Sequence, residues 1–293
     1  MKSALIKGCL RLIAFFIRAL PKAAVPWVAF VFSRLAPVLM KRDTDLIASN
    51  IDRVYSLPPQ SIFSKTFQRQ VFRSQALVAL ETFKHQLSKT DLVHVEGLER
   101  ARIMIDKLSG PGKGLLVVTA HHGSWEMVAS TVAQVSGKTF VALAKPSTVP
   151  EFTEVLDNLR RRGNTRILWT DSKNLLRDMM GTLKSGGNLG FVMDQKPEGR
   201  VGPVVDFLGQ ATEFVAGPGK LAARHQSAVI AFFCMRTGPW EYRIEVETVV
   251  EAEHGIKDED LLTQKMASAI TRAIQLYPEQ WVWNYKRWRT IEN

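Results

Sequence analysis

Cysteine is scarce in this chain of 293 residues, which carries only Cys9 and Cys234. Small secreted domains rely on several disulfides, whereas cytosolic proteins keep their thiols reduced. Two cysteines that lie far apart in the sequence do not make a disulfide framework. We therefore expect two inert thiols in a protein that faces the cytosol.

Acidic residues are also in the minority: 28 Asp and Glu stand against 39 Lys and Arg, which gives a formal net charge of +11. Such an excess predicts an anionic partner, which is a membrane surface, a nucleic acid or an acidic protein. The sequence has neither a low-complexity tract nor an internal repeat, and 46% of its residues are hydrophobic. This composition suffices for a large buried core in one or two domains.

The chain lacks a long hydrophobic run that is free of charge and proline. Residues 12–32 are largely apolar, but Arg18, Pro21, Lys22 and Pro26 interrupt them. A helix that spans a bilayer needs about 20 consecutive, mainly apolar residues. The N-terminus also shows no convincing cleavage site of small residues, so the sequence does not indicate a cleaved signal peptide.

Four basic residues near the N-terminus share one face of a helix. Lys7, Arg11, Arg18 and Lys22 fall within roughly 60° of one another on a helical wheel. This pattern is typical of an interfacial helix whose cations meet anionic headgroups while its apolar side enters the leaflet. We expect residues 1–42 to associate with a membrane. They would do so either as an interfacial helix, which could pack beside residues 27–40 as a hairpin, or as a spanning helix. An ordinary core element is the third alternative.

Beyond residue 42, strand patterns alternate with helix patterns. Strands are predicted over residues 93–97, 115–120, 140–144, 166–169 and 189–193. Helices are predicted over residues 43–57, 60–87, 100–108, 127–135, 152–162 and 175–183. Further on, the sequence predicts a loop at 204–212, a helix ending at 224, a hairpin of strands at 228–236 and 240–249, and a helix at 258–276. This order implies an α/β fold with a mixed, mostly parallel sheet flanked by helices, in one domain of residues 43–293.

The most informative stretch follows the apolar strand at 115–120. That strand ends in two histidines, and a carboxylate stands five positions after the first of them, in the order His121, His122, Gly123, Ser124, Trp125, Glu126. Ser124 is a suitable N-cap for the next helix, and Glu126 lies in its first turn, where the helix dipole favours negative charge. We expect His121 and Glu126 to approach each other at the carboxyl end of a central strand, where open α/β sheets bind their ligands.

Polar residues also follow two other predicted strands. Lys145 comes directly after the strand at 140–144, while Asp194 and Gln195 follow the strand at 189–193. Carboxyl ends of parallel strands meet at one edge of a sheet, so these residues are expected beside His121. The three arginines at 160–162 are read as dipole-favoured charges at a helix end, with anion contact as the alternative.

A histidine backed by a carboxylate is a general base held in one tautomer. The sequence has no G-x-S-x-G nucleophile elbow, and Ser124 is expected to cap a helix. The base would then activate a hydroxyl or amine of a bound acceptor for direct attack on an activated acyl carbonyl, with Lys145 or backbone N–H groups stabilising the oxyanion. A structural histidine–carboxylate pair is the alternative. A metal site at His121, His122 and Glu126 is not expected, because no H-E-x-x-H motif or cysteine cluster is present.

Four blocks of the sequence together resemble a known family. They are His121-His122-Gly123-Ser124-Trp125-Glu126, Asp194-Gln195, Phe207-Leu208-Gly209-Gln210-Ala211-Thr212 and Pro278-Glu279-Gln280-Trp281-Val282-Trp283. In this order they are similar to the signatures of the late lipid A biosynthesis acyltransferases, the lauroyl and myristoyl transferases of Gram-negative bacteria. The similarity spans most of the chain.

This resemblance implies an enzyme with a core like that of glycerolipid acyltransferases, at the cytoplasmic face of the inner membrane. It implies transfer of a fatty acyl chain from an acyl carrier protein thioester to a hydroxyl of a membrane glycolipid, a lipid A precursor, without a cofactor or metal. His121 would be the base and Glu126 its partner. The residues expected to bind substrate are Lys145, Asp194, Gln195, Gly209 and Thr212. The excess positive charge would serve the acidic carrier protein and an anionic membrane surface, with no nucleic acid involved.

Two positions depart from the family pattern and leave the acceptor open. His122 stands where an apolar or aromatic residue is usual, and Lys145 stands where arginine is usual. Arginine and lysine are not equivalent at sites that bind phosphate or carboxylate. A phospholipid, glycerolipid or aminolipid acceptor and an acyl-CoA donor are therefore alternatives. The aromatic and basic residues 277–289 are interpreted as a lipid-interface anchor, a nucleic-acid patch or a cap on the core. The first two interpretations leave a binding protein without catalysis as a further alternative.

Overall fold

A computed structural model describes residues 2–59, 61–88, 90–110, 112–196 and 202–288. Gln60 and Arg289, which fall within the stretches interpreted above, lie outside these ranges. The helices are α1 Lys2–Ala19, α2 Val25–Leu39, α3 Lys41–Val54, α4 Ile62–Leu87, α5 Leu98–Leu108, α6 Trp125–Ser136, α7 Pro150–Arg162, α8 Leu175–Lys184, α9 Gly217–His225 and α10 Glu259–Leu276. The strands are β1 His94–Glu96, β2 Leu115–Thr119, β3 Phe140–Ala144, β4 Thr165–Trp169, β5 Asn188–Val192, β6 Val204–Phe207, β7 Gln210–Glu213, β8 Ala228–Gly238 and β9 Glu241–Val250.

Seven strands form one sheet in the order β1-β9-β8-β2-β5-β3-β4. Strands β8, β2, β5, β3 and β4 are parallel, β9 runs antiparallel to β8, and β1 is parallel to β9. The predicted mixed, mostly parallel α/β fold is therefore confirmed. Strand β2 lies in the middle and is buried along its whole length, as its uninterrupted apolar sequence predicts. Its carboxyl end is next to the carboxyl end of β5, and β5 is next to β3.

The two faces of the sheet bury different cores because successive strand residues point to opposite sides. Leu116 and Val118 of β2 face a core that includes side chains of α4, α8 and α10. Leu115 and Val117 face a second core built with α5 and α6. Helices thus cover both faces of the strands that carry the candidate site.

The predicted loop at residues 204–212 is wrong, because β6 and β7 form an antiparallel hairpin there. Val205 and Phe207 point into the core while their neighbours are exposed. Leu208 and Gly209 make the two-residue connection with φ angles of 55° and 74°. A turn with both residues at positive φ matches the twist of a hairpin and usually has Asn-Gly or Asp-Gly. Because Leu-Gly is uncommon in such turns, the sequence does not indicate a hairpin here.

The N-terminal segment forms α1 and α2, and Lys22–Leu39 is long and apolar enough to cross a membrane. Helix α2 packs on α4 through small side chains, and large apolar side chains of both N-terminal helices stay exposed. These exposed residues are Leu5, Leu12, Ile13, Phe15, Phe16, Trp27, Phe30, Phe32, Leu35, Val38 and Leu39. This surface and the composition of the helices make the segment a candidate for membrane association.

The expected cationic stripe is only partly available to headgroups. Lys7 forms an ion pair with Glu154 at 2.9 Å, and Lys22 donates to the carbonyl of Leu92 at 2.7 Å. The ammonium group of Lys22 also lies 4.8 Å from the ring centre of Trp240. Two of the four cations therefore face the protein, while the exposed surface of α1 is largely apolar. Packing of α1 against α2 as a hairpin stays a prediction.

Candidate active site

The loop after β2 holds His121 at the carboxyl edge of the sheet. Gly123 has a φ of 58°, and a side chain there would overlap the carbonyl oxygen of Cys234 in the neighbouring strand β8. The backbone N–H of Ser124 donates to that oxygen at 2.8 Å, and the N–H of Gly123 donates to the carbonyl of Gln280 at 3.3 Å. Glycine is thus required at this turn, which fixes the loop against two other parts of the chain.

Asp194 is the hydrogen-bond partner of His121. The Nδ1 atom of His121 lies 2.8 Å from Oδ1 of Asp194, which follows the adjacent strand β5. The other carboxylate oxygen accepts a hydrogen bond of 2.8 Å from Nε1 of Trp281. With its hydrogen on Nδ1, the neutral imidazole has its lone pair on Nε2. The arrangement is that of a general base oriented by a carboxylate.

The charges around His121 favour its protonated form. Burial alone would lower the pKa of His121, but the charge and hydrogen bond of Asp194, together with the charge of Glu126, outweigh it and raise the pKa. Burial likewise opposes ionisation of Asp194, yet His121 and the hydrogen bond from Trp281 hold the pKa of that carboxyl below its usual value. The His121 side chain is 26% exposed, while that of Asp194 is buried. Asp194 therefore stays ionised beside an imidazole that solvent can reach.

Glu126 lies in the first turn of α6, as expected, and its carboxylate binds a cation. Arg160 donates to both of its oxygens, from Nε at 2.9 Å and from Nη2 at 2.6 Å. The two side chains are only 15% and 18% exposed. Glu126 therefore acts on His121 through its charge, while Asp194 holds the contact position that the sequence assigned to Glu126. Of the two readings of the arginines at 160–162, Arg160 fits anion contact, with a carboxylate of the protein itself as the anion.

Ser124 and His122 have structural contacts. Ser124 occupies the N-cap position of α6, but its hydroxyl does not cap the helix and instead lies 2.7 Å from the hydroxyl of Thr82. His122 is fully buried, and Nε2 lies 3.0 Å from the carbonyl oxygen of Ala273. Burial lowers the pKa of His122 to about 4, so the ring is neutral and donates this hydrogen bond. The expectation that Ser124 caps the helix with its hydroxyl is thus wrong, because the buried Thr82 takes that hydroxyl.

The C-terminal aromatic segment is part of the site. The backbone of Trp281 pairs with that of His122, and the N–H of Val282 donates to the carbonyl of His121 at 3.1 Å. Trp281 and Trp283 are buried, with ring centres 4.7 Å apart. Residues 277–288, the described part of this segment, therefore form a cap on the core, which is one of the three interpretations given above. The sequence analysis does not identify Trp281 as a site residue, although Trp281 lies in one of the four blocks that carry the family resemblance.

The remaining expected site residues lie at different distances from this centre. Lys145 follows β3 at the same sheet edge and is exposed, and Gln195 follows Asp194 and is half-buried. Gly209 lies at the tip of the β6–β7 hairpin. The hydroxyl of Thr212 is buried and accepts a hydrogen bond of 3.0 Å from Arg287. This hairpin adjoins the site because the ring of Phe207 lies 5.7 Å from that of Trp281.

A narrow slot of about 60 Å³ extends from the site between α6 and the sheet. Trp125, whose ring centre is 5.4 Å from that of His121, lies at the outer end with Glu126 and Arg160. Its walls further in are the apolar side chains of β2, β3, β4 and β5, among them Val117, Phe140, Ala142, Ile167 and Val192. No local pattern in the sequence predicts this slot, because the residues that line it come from different strands and are brought together only by the order of the sheet.

A second, larger cleft of about 680 Å³ lies between α4 and the end of the β8–β9 hairpin. Its charged lining residues are Arg73, Arg236, Arg243 and Glu279. Arg236 donates to both oxygens of the buried Glu81, and Arg243 pairs with Glu96. The charges of this cleft therefore nearly balance. Among the described residues, no three His, Cys, Asp or Glu side chains cluster in a way that could hold a metal ion.

Comparison with known proteins places this geometry in a family context. The family model described as "Bacterial lipid A biosynthesis acyltransferase" matches residues 4–290. A phosphatidylinositol mannoside acyltransferase of Mycolicibacterium smegmatis is 24% identical over 286 residues, which cover 93% of this chain and 88% of that protein. A phosphatidylinositol mannoside acyltransferase of Mycobacterium tuberculosis (strain H37Rv) is 23% identical over 257 residues, covering 83% and 76%.

Proposed function

Because this chain belongs to the bacterial lipid A biosynthesis acyltransferase family and is thus an acyltransferase, we propose that it moves a fatty acyl chain from an acyl carrier protein thioester to a hydroxyl of a membrane glycolipid. The observation that carries the proposal is the hydrogen bond of 2.8 Å between His121 and the buried Asp194, with Nε2 left as the basic nitrogen. Its acceptor in this proposal is a lipid A precursor.

The reaction proceeds in one transfer without an acyl-enzyme. Nε2 of His121 takes the proton of the acceptor hydroxyl while that oxygen attacks the thioester carbonyl carbon. The tetrahedral intermediate then expels the thiolate as the C–S bond breaks, and the imidazolium returns the proton to sulfur. Asp194 keeps the tautomer and stabilises the imidazolium. Ser124 supports direct transfer, because its hydroxyl is buried against Thr82 and is not aimed at a substrate.

Glu126 contributes to catalysis in this proposal through the effect of its charge on His121. It raises the pKa of His121 without occupying Nδ1, and it holds Arg160 at the entrance of the slot. Lys145, which follows the end of β3 at the same edge of the sheet, is assigned to the developing oxyanion or to the acceptor headgroup. Gln195 is assigned to the acceptor at the same edge. Gly209 and Thr212 contribute by shaping the hairpin that packs on Trp281.

The two cavities suit the two substrates. The apolar slot beside His121 takes the acyl chain, since burial of methylene groups is favourable. The polar cleft lined by Arg73, Tyr277 and Gln280 takes the headgroup, and its nearly balanced charges fit an uncharged polyhydroxyl group better than a phosphate. Gln280 connects the cleft with the site, because its carbonyl accepts from Gly123 in the His121 loop.

The donor and the location follow from charge and surface. A net charge of +11 favours an acidic carrier protein and an anionic membrane, and acyl-CoA is the alternative anionic donor. Exposed apolar side chains on α1 and α2 support attachment to a membrane. We assign the protein to the cytoplasmic face of the inner membrane, where free thiols such as the exposed Cys9 stay reduced.

A second candidate acceptor is a phosphatidylinositol mannoside. Both mycobacterial relatives carry that substrate in their names and match more than four fifths of this chain. Acyl transfer to a hydroxyl of that lipid would use the same reacting atoms as the proposal above, so the two candidates differ only in the headgroup. Lipid mass profiling of a deletion strain separates them, since the lipid that loses an acyl chain is the acceptor.

Purified full-length protein tests the function directly. It is incubated with acyl carrier protein thioesters, acyl-CoA and a membrane lipid extract, and the products are read by mass spectrometry. We expect one class of glycolipid to gain an ester-linked acyl chain. His121→Ala should lower the rate by about 10²–10⁴, as loss of a general base does, while the melting temperature changes little. Undiminished transfer by a folded His121→Ala protein would overturn the role of the base.

A further inference from the structure

One aromatic ring lines the apolar slot at the amino end of β3. Phe140 begins β3, and its side chain lies over Gly190 of the neighbouring strand β5. A Cβ atom at Gly190 would overlap the ring of Phe140. Ala142 is paired with Gly190, which puts Phe140 diagonally across from it on the same face of the sheet. The absence of a side chain at 190 thus sets where the ring rests.

The other positions along this path are small. Ala142 and Ala144 follow Phe140 on the slot face of β3, and Ala129 of α6 lies among the walls. From Phe140 to Ala144 the strand covers roughly 13 Å at about 3.3 Å per residue. The slot therefore runs from the base at the carboxyl edge towards a phenyl ring at the amino end of β3.

We propose that Phe140, seated on Gly190, is the stop that sets the length of the acyl chain. This inference rests on the proposed function, because it assigns the acyl chain to the slot beside His121. The slot is narrow, with a free volume of about 60 Å³, so a methylene group beyond its end meets a wall. A methylene group too many in an apolar pocket costs about tenfold or more in kcat/KM.

Substitutions at the two positions shift the preferred length in opposite directions. Phe140→Leu shortens the stop and should favour chains longer by about two carbons, with about tenfold relative gain. Gly190→Ala adds a methyl group that pushes the ring into the slot, so it should favour shorter chains by a similar factor. The double variant Phe140→Leu with Gly190→Ala should return towards the native preference. If Phe140 and Gly190 serve packing alone, the variants should lose stability without any shift in the preferred length of the acyl chain.

The control is Phe232→Leu. Phe232 is a fully buried phenylalanine of β8 in the same core as Phe140, but it does not line the slot. The substitution removes the same atoms from the same core. It should therefore lower the melting temperature to a similar degree and leave the chain-length preference unchanged.

Two readouts keep the inference separate from the function on which it rests. One is the product distribution from an even-numbered ladder of saturated acyl carrier protein and acyl-CoA thioesters with a membrane lipid extract. The other is calorimetric binding of a ladder of saturated fatty acids to the full chain. Opposite shifts at Phe140 and Gly190 in binding, without any transfer, would support the stop and overturn the proposed function. Transfer with an unchanged length preference in both folded variants, or no fatty acid binding by the native chain, would overturn the stop.

Discussion

Asp194 and Glu126 both raise the pKa of His121, but they are bound in different ways. Asp194 is buried, and its two oxygens are taken by Nδ1 of His121 and Nε1 of Trp281, each at 2.8 Å. Glu126 gives both of its oxygens to Arg160 at the entrance of the slot. The difference teaches that the inner carboxylate fixes the tautomer of His121, while the outer one holds a cation near that ring. Replacing each carboxylate by its amide separates these two roles.

The largest effect is expected for Asp194→Asn. An amide can present its N–H to Nδ1 and so favour the tautomer that places the hydrogen on Nε2, where the base must accept a proton. We expect kcat/KM for acyl transfer to fall by about 10²–10⁴ with the fold intact. Steady-state kinetics with a thermal melt measures both quantities. An activity close to that of the native protein would show that Asp194 does not orient the base.

Glu126→Gln should have a smaller effect. The amide keeps one hydrogen bond to Arg160 but removes the charge that acts on His121, so a loss of about tenfold in kcat/KM is expected. Glu99→Gln is the matched control, since Glu99 is exposed and forms only a long surface pair of 3.9 Å with Arg102. Equal losses for Glu126→Gln and Asp194→Asn would erase the distinction between the two carboxylates.

Trp281→Phe should have the smallest effect of the three. It retains an aromatic ring against Phe207 and removes the hydrogen bond to Asp194. One such bond corresponds to a loss of about threefold to tenfold in kcat/KM. Trp283→Phe is its control, because Nε1 of Trp283 donates to the carbonyl of Pro278 at 2.7 Å and not to the site. The comparison fails if the two tryptophan variants lose the same activity at equal stability.

Local pattern was sufficient for most elements of the fold. The strand predicted at 140–144 coincides with β3, because five apolar residues stand between a glycine-terminated helix and a lysine-proline pair. The hairpin β6–β7 escaped because its turn uses Leu208 before Gly209 instead of asparagine or aspartate. Turn chemistry is readable only when the residues are the common ones.

The sequence was sufficient to place several polar residues at one edge of the sheet, but not to predict their contacts. Asp194 was expected at the right sheet edge, yet nothing local shows that β5, 73 residues away at this point, is the strand that lies beside β2. Nearness in sequence favours Glu126 as the partner of His121. Arg160 draws its carboxylate away, and that contact depends on how α7 packs against α6. The contact of Trp281 with Asp194 and the slot could not be predicted for the same reason, because both depend on tertiary structure.

The pH dependence of kcat/KM tests the central claim most directly. Transfer needs neutral His121, so activity rises with pH through the pKa of this group. Because Asp194 raises that pKa, the acid limb of the native protein should lie above the ordinary value near 6.5. In Asp194→Asn it should move to lower pH by more than in Glu126→Gln. An acid limb that stays in place in Asp194→Asn would contradict the assignment of Asp194 as the group that orients and stabilises the base.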